Sequence, residues 1–243
     1  MVDARRDRAL TSARRSRRRP YDPAVWLDDV EIDAPDTVAA FRGIEAGKFI
    51  SVRREVRRRG GAGTAPRMAA QLGAIASALA VIVEALPDAA FLAPGGEEDW
   101  SVAEAIGHAA DSRAGLAMAG SLAAAGRWPD DTGPVVPSIP GERGLGRAAL
   151  VRRLGASQRM VERAARTIAG HEEDSCPLEH PLVGRLRCGE WLLFAGVHDL
   201  MHLEQLHAIA TAFGAELGAE PGAEPDVAFD VAFGVRSGGE PAR

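Results

Sequence analysis

Residues 188–213 read Cys188-Gly-Glu-Trp-Leu-Leu-Phe-Ala-Gly-Val-His198-Asp-Leu-Met-His202-Leu-Glu-Gln-Leu-His-Ala-Ile-Ala-Thr-Ala-Phe213. The run is long and apolar at helical spacing, with two histidines four residues apart. On a helix, side chains at i and i+4 leave the same face with Cβ atoms about 5–6 Å apart. One metal ion can therefore be held by both imidazoles, the HxxxH arrangement. Trp191, Phe194, Ala195, Met201, Gln205, Ile209 and Phe213 fall within about 60° of His198 on the helical wheel. Both histidines thus lie in an apolar stripe that faces a core, and ring nitrogens buried there need partners. Six histidines in 243 residues also produce such pairs by chance, so a third ligand decides the matter.

The best candidate for a third ligand lies upstream, in Trp100–Leu122. Ser101 followed by Glu104 forms a capping box that opens a helix, and His108 lies two turns in. Its near-face neighbours at helical spacing are Glu104, Asp111, Ser112, Gly115, Leu116 and Ala119. Alone, His108 reads as an ordinary satisfied histidine. Its weight comes from pairing with the downstream helix.

Three blocks, WSVAEAIGH ending at His108, HPLVGRL from His180 to Leu186, and EWLLFAGVHDLMHLEQL from Glu190 to Leu206, together resemble the DinB-like superfamily. The resemblance covers about Arg67 to Phe213. It implies an all-α, DinB-like four-helix bundle whose single divalent metal ion is held by three histidines, carried over here as His108, His198 and His202. It also implies a choice among reactions. Some relatives use a low-molecular-weight thiol as co-substrate, in S-transfer or in isomerisation of maleylpyruvate-like acids. Others read as hydrolases or as stress-induced proteins.

The rest of the chain sets the frame for this domain. Residues 1–65 hold 15 Lys and Arg against 10 Asp and Glu, net +5, leaving −10 for the remainder of a chain whose total is −5. Eight arginines fall in the first 19 residues, without aromatic interleaving or a nucleic-acid-binding motif. A basic, partly disordered extension is expected at 1–65, and nucleic acid is not expected as a partner. Tyr21 to Gly63 reads as irregular, although Trp26, Leu27, Phe41, Ile44, Phe49 and Ile50 are apolar enough to dock as a short helix or hairpin. The bundle itself is expected over 66–213, and 214–243, containing GAELGAEPGAEPD, as a disordered low-complexity tail.

Within the bundle, Met68, Leu72, Ile75, Leu79, Ile82, Val83 and Leu86 give a first amphipathic helix stopped by Pro87. Gly126 to Gly146, with four prolines, is a long crossing loop. Leu150, Leu154, Val161, Ala164, Ala165 and Ile168 give a third helix ended by Gly170. His171 and His180 read as surface loop residues, and His207 falls opposite His198. Cys176 and Cys188 do not make a disulfide framework. With no unbroken apolar run of membrane length and no secretory pattern, a cytoplasmic protein is expected.

Three neutral imidazoles leave a divalent ion its full charge and an open position, the pattern of catalytic zinc sites. Zinc suits the donors best, with nickel and iron as other candidates. One reading is a metal-dependent enzyme in which the ion activates a small thiol or water against a small electrophilic substrate. The other is a metal-binding stress bundle without turnover. A zincin-type protease fits poorly, because Asp199 stands where HExxH has Glu, and the paired Glu-x-x-His motifs of di-iron bundles are missing. Asp111 and Gln205 are the catalytic or ligand-orienting candidates, Gln205 leaning to hydrogen bonding with a ligand. Leu192, Leu193, Leu200 and Leu203 add a second apolar face to the last helix. Either the N-terminal segment covers it or a two-fold partner does, and a homodimer is expected.

Overall fold

The computed structural model describes residues 26–47, 49–96, 99–129 and 139–218. The expected disorder of the arginine-rich arm and of the tail beyond Gly218 falls outside those residues. Four long helices make the bundle: α4 (Ala65–Ala85), α5 (Val102–Ala124), α6 (Arg147–Ile168) and α7 (Cys188–Gly218), preceded by α1 (Trp26–Asp33), α2 (Pro35–Phe41) and α3 (Phe49–Arg59). Pro66 sits in the first turn of α4, where its missing N–H costs nothing. α6 stops before Gly170, which takes a φ of 85°.

Side-chain pairings give the helix directions. Glu104 and Arg143, Asp111 and Arg153, and Arg113 and Ser157 rise in step, so α6 runs parallel to α5. The long 125–146 connection exists to return the chain to the same end. Gly120 against Cys188, Arg113 against Asp199 and His108 against His202 run in opposite senses, making α7 antiparallel to α5. Around the bundle α5 packs on α6 and α7, and α4 packs on the same two. Their apolar faces fuse into one core with Met68, Leu72, Ile106, Leu154, Trp191 and Phe194 almost wholly buried.

The segment 21–63, read as irregular, is largely helical over its described part. Its elements are short, and α1 buries no residue fully, so isolated propensity gives little signal and docking decides the conformation. In α3, Val52 and Val56 turn inward at i, i+4 while Arg54, Arg57 and Arg58 are exposed. Phe41 is buried, and Trp26, Leu27, Ile44 and Phe49 pack on the core. Ile50, expected to dock as well, is 85% exposed.

This N-terminal subdomain rests on α7. Gly196 permits the approach, since a Cβ there would meet Thr37 Cγ2 at 2.7 Å. Gln71 of α4 fixes α2: its Oε1 accepts from the Thr37 amide and hydroxyl, both at 3.0 Å, and its Nε2 donates to Asp36 at 2.8 Å. Leu192, Leu193, Leu200 and Leu203 are all fully buried within one chain. The second apolar face of α7 is therefore interior to the monomer, and the expectation of a homodimer through it loses its basis.

Two further expectations change. The stretch between α6 and α7 is an antiparallel hairpin, β1 (Ser175–His180) with β2 (Gly184–Arg187), bulged between Ser175 and Glu179. By length and composition α4 is apolar enough to cross a membrane, although Arg67 and Glu84 bracket it too closely for an unbroken apolar run of that length. In the bundle it buries Met68, Leu72, Ile75, Leu79, Ile82 and Val83.

Candidate metal centre

The start of α5 is locked by local chemistry. The Ser101 hydroxyl accepts from the Glu104 amide at 3.3 Å, and the Glu104 carboxylate takes the Ser101 amide at 2.9 Å and its hydroxyl at 2.7 Å. Bonds from Ser101, helped by the Arg143 guanidinium, hold the Glu104 carboxyl at about 2, well below its ordinary range. Glu104 is thus a structural cap, as its position predicts. One turn further in, the 139–144 loop lies flat on the helix. A Cβ on Gly141 would meet Glu104 O at 2.5 Å and Gly107 Cα at 2.6 Å, so only glycine allows this contact. The contact brings the Ile139 carbonyl to 2.6 Å from His108 Nδ1.

His108, His198 and His202 converge. Ring centroids are 5.4 Å apart for His108 and His198, 5.2 Å for His108 and His202, and 4.6 Å for His198 and His202. One nitrogen from each lies within 4.8 Å of the others. A tetrahedral zinc ion with bonds of 2.0–2.1 Å spaces its ligands by roughly 3.4 Å, a closure that ring rotation covers. His108 and His202 are buried and His198 partly so.

Hydrogen bonds define two of the tautomers. A carbonyl can only accept, so His108 Nδ1–H donates to Ile139 and its Nε2 carries the lone pair. Ser112 Oγ lies 3.3 Å from that nitrogen. The Gln205 amide nitrogen donates to the Gly95 carbonyl, which turns Oε1 toward His202 Nδ1 at 2.9 Å. His202 Nδ1 therefore also carries the proton and its Nε2 carries the lone pair, the usual orienting pattern around metal-ligating histidines. His198 Nδ1 is buried without a hydrogen-bond partner among the described residues. A buried orphan nitrogen costs on the order of 1–3 kcal/mol, and a metal ligand role would remove that cost. Burial pushes His198 well below its ordinary pKa, with His202, His108 and His180 adding to it, and burial lowers His202 against the opposing Gln205 bond. Both rings are neutral near pH 7, the form that ligates metal.

The other named residues go elsewhere. Asp111 is not an orienter of His108: both its oxygens are taken by Arg153, at 2.8 and 2.7 Å, on the α6 side. Asp199 is enclosed with Arg113 and is no surrogate for a general-base Glu. His207 stacks on Trp26, centroids 4.8 Å apart, away from the cluster as its wheel position requires. His171 is exposed and paired with Asp174. His180 departs from expectation, being a half-buried strand residue edge-on to Phe194 at 4.7 Å. Gly141, Ile139 and Arg113 were invisible to spacing arguments, because their roles depend on a crossing loop and a partner helix.

An all-α four-helix bundle with three converging histidines on its second and fourth helices is thus in place. A family model for the DinB superfamily matches residues 71–206, more than half of the chain, and the chain belongs to that superfamily. The match contains α5, the hairpin and all three histidines, but not the N-terminal helices. Comparisons with curated proteins and with solved structures give no match.

Proposed function

We propose that the protein is a metal-dependent enzyme in which His108, His198 and His202 hold one divalent ion, zinc by preference, and a small thiol or water attacks a small electrophilic substrate. The observation that carries this reading is the pair of anchored Nδ1–H groups, His108 on Ile139 and His202 on Gln205. Each presents a neutral Nε2 lone pair, beside a His198 whose own Nδ1 lacks a partner. Three neutral donors leave a bound ion its full charge to lower the pKa of thiol or water. The chain's own contribution is positional: Gln205, Ile139 and the Gly141 contact fix the rings, and Trp100, 4.9 Å from the His108 ring, helps wall the site.

S-transfer or isomerisation with a low-molecular-weight thiol is the favoured reaction type. Hydrolysis is the runner-up, and a binding protein without turnover is the reading from another class. Thiol consumption against a panel of electrophiles, with ester and amide hydrolysis alongside, separates them. Turnover lost on chelation and restored by zinc supports the enzyme. Metal content without turnover of any of these favours the binding protein.

A further inference from the structure

His180 stands outside the cluster yet beside it. Its ring is edge-on to Phe194 at 4.7 Å and to Trp191 at 6.3 Å, and Phe194 precedes His198 by one helical turn, about 6 Å of rise. It is close enough to His198 to contribute to that ring's depressed pKa. The Leu182 amide donates to His180 Nδ1 at 3.2 Å, which fixes the proton of the neutral ring on Nε2. That nitrogen has no hydrogen-bond partner among the described residues, and it is not sealed by protein. Burial keeps the ring neutral, its pKa down at about 4.

We infer that His180 is a specificity-determining donor: its Nε2–H binds an acceptor oxygen, carbonyl or carboxylate, of a substrate seated beside the three-histidine cluster. The inference rests on the metal reading above and adds a substrate class to it. His180 is outside the group of nitrogens that converge within 4.8 Å, and its Nδ1 lone pair is already engaged. As a fourth ligand it would have to shed its Nε2 proton, whereas as a hydrogen-bond donor it needs no change. The aromatic contacts and the Leu182 bond account for the ring and its Nδ1, and leave the Nε2–H unused.

The test uses the full chain loaded with cobalt(II), with acetate as the probe and the visible spectrum as the readout. In His180→Phe, cobalt affinity should stay within about threefold of wild type while acetate binds about tenfold more weakly, the loss of one hydrogen bond to a charged acceptor. His180→Gln, which keeps an N–H donor, should recover most of the acetate affinity. Nitrogen-15 spectra of wild type without metal should show the Nε2–H tautomer for His180. Unchanged acetate affinity in His180→Phe overturns the inference, and so does an Nδ1–H tautomer. A parallel loss of cobalt affinity overturns it too, by making His180 a ligand or a folding residue. A wild type that binds no cobalt removes the metal reading itself and this inference with it, whereas an acetate response that ignores His180 removes only the inference.

Discussion

Arg113 Nε and Asp199 Oδ2 meet at 2.8 Å with both side chains completely buried, joining α5 to α7 at the residue that follows His198. The guanidinium also donates to Leu72 O at 2.7 Å on α4 and to Ser157 Oγ at 3.3 Å and Gln158 Oε1 at 3.0 Å on α6. One arginine thus ties all four bundle helices and fixes the level at which α7 presents its histidines. Removing one partner of such a pair leaves an uncompensated buried charge, while replacing both by apolar residues is often neutral or better. Arg113→Met should therefore lose about 3–5 kcal/mol in urea unfolding, and Arg113→Met with Asp199→Leu should recover most of that. A double variant no more stable than the single one would show that the hydrogen bonds, not the charges, hold the helices.

Gly141→Ala tests how the crossing loop serves His108. A methyl group cannot fit 2.5 Å from Glu104 O, so the loop must lift and take the Ile139 carbonyl with it. The bundle should stay folded while metal affinity falls about 10–100-fold, the usual cost of losing an outer hydrogen bond to a ligand. Competition titration against a chromophoric chelator measures this. Unchanged affinity would detach Ile139 from the site.

Removing residues 1–63 strips the N-terminal helices from the leucine-rich α7 on which they pack and breaks the Thr37–Gln71 bonds. An apolar strip of that extent does not stay in water, so the truncated chain should self-associate in light scattering. A soluble monomer from that truncation would mean that the N-terminal helices are dispensable.

His207 supplies a pH dependence separate from the metal ligands. Its ring, stacked on Trp26, is held by burial at about 4 against an ordinary 6.5. As pH falls through 6.5 the unfolded chain takes up a proton that the folded chain refuses until about 4. Stability is then fully present above 6.5 and declines across that window, by on the order of 1–2 kcal/mol with partial solvent screening. His207→Phe should flatten the decline of Tm between pH 7 and 5.

How legible these features were follows from how local each one is. The capping box at Ser101 and the HxxxH of α7 need only spacing within one helix, and Gln205 beside His202 is one turn away. All three stood in the sequence. Asp111 misled because its helical position next to His108 said nothing of Arg153, which arrives from another helix. The Gly141 contact and the Arg113 hub join residues 37 and 86 positions apart, beyond any periodicity. The short N-terminal helices take their conformation from the face of α7 that they cover. The second apolar face of α7 was visible in its leucines, but which partner covered it was not.

The central claim is that three histidines hold one ion, and elemental analysis after metal exchange tests it most directly. Wild type is expected to retain one equivalent of a divalent metal per chain, with His198→Ala losing most of it while still folding, because the apolar core does not depend on the ion. Equal metal content in wild type and His198→Ala, or none in either, would contradict the account.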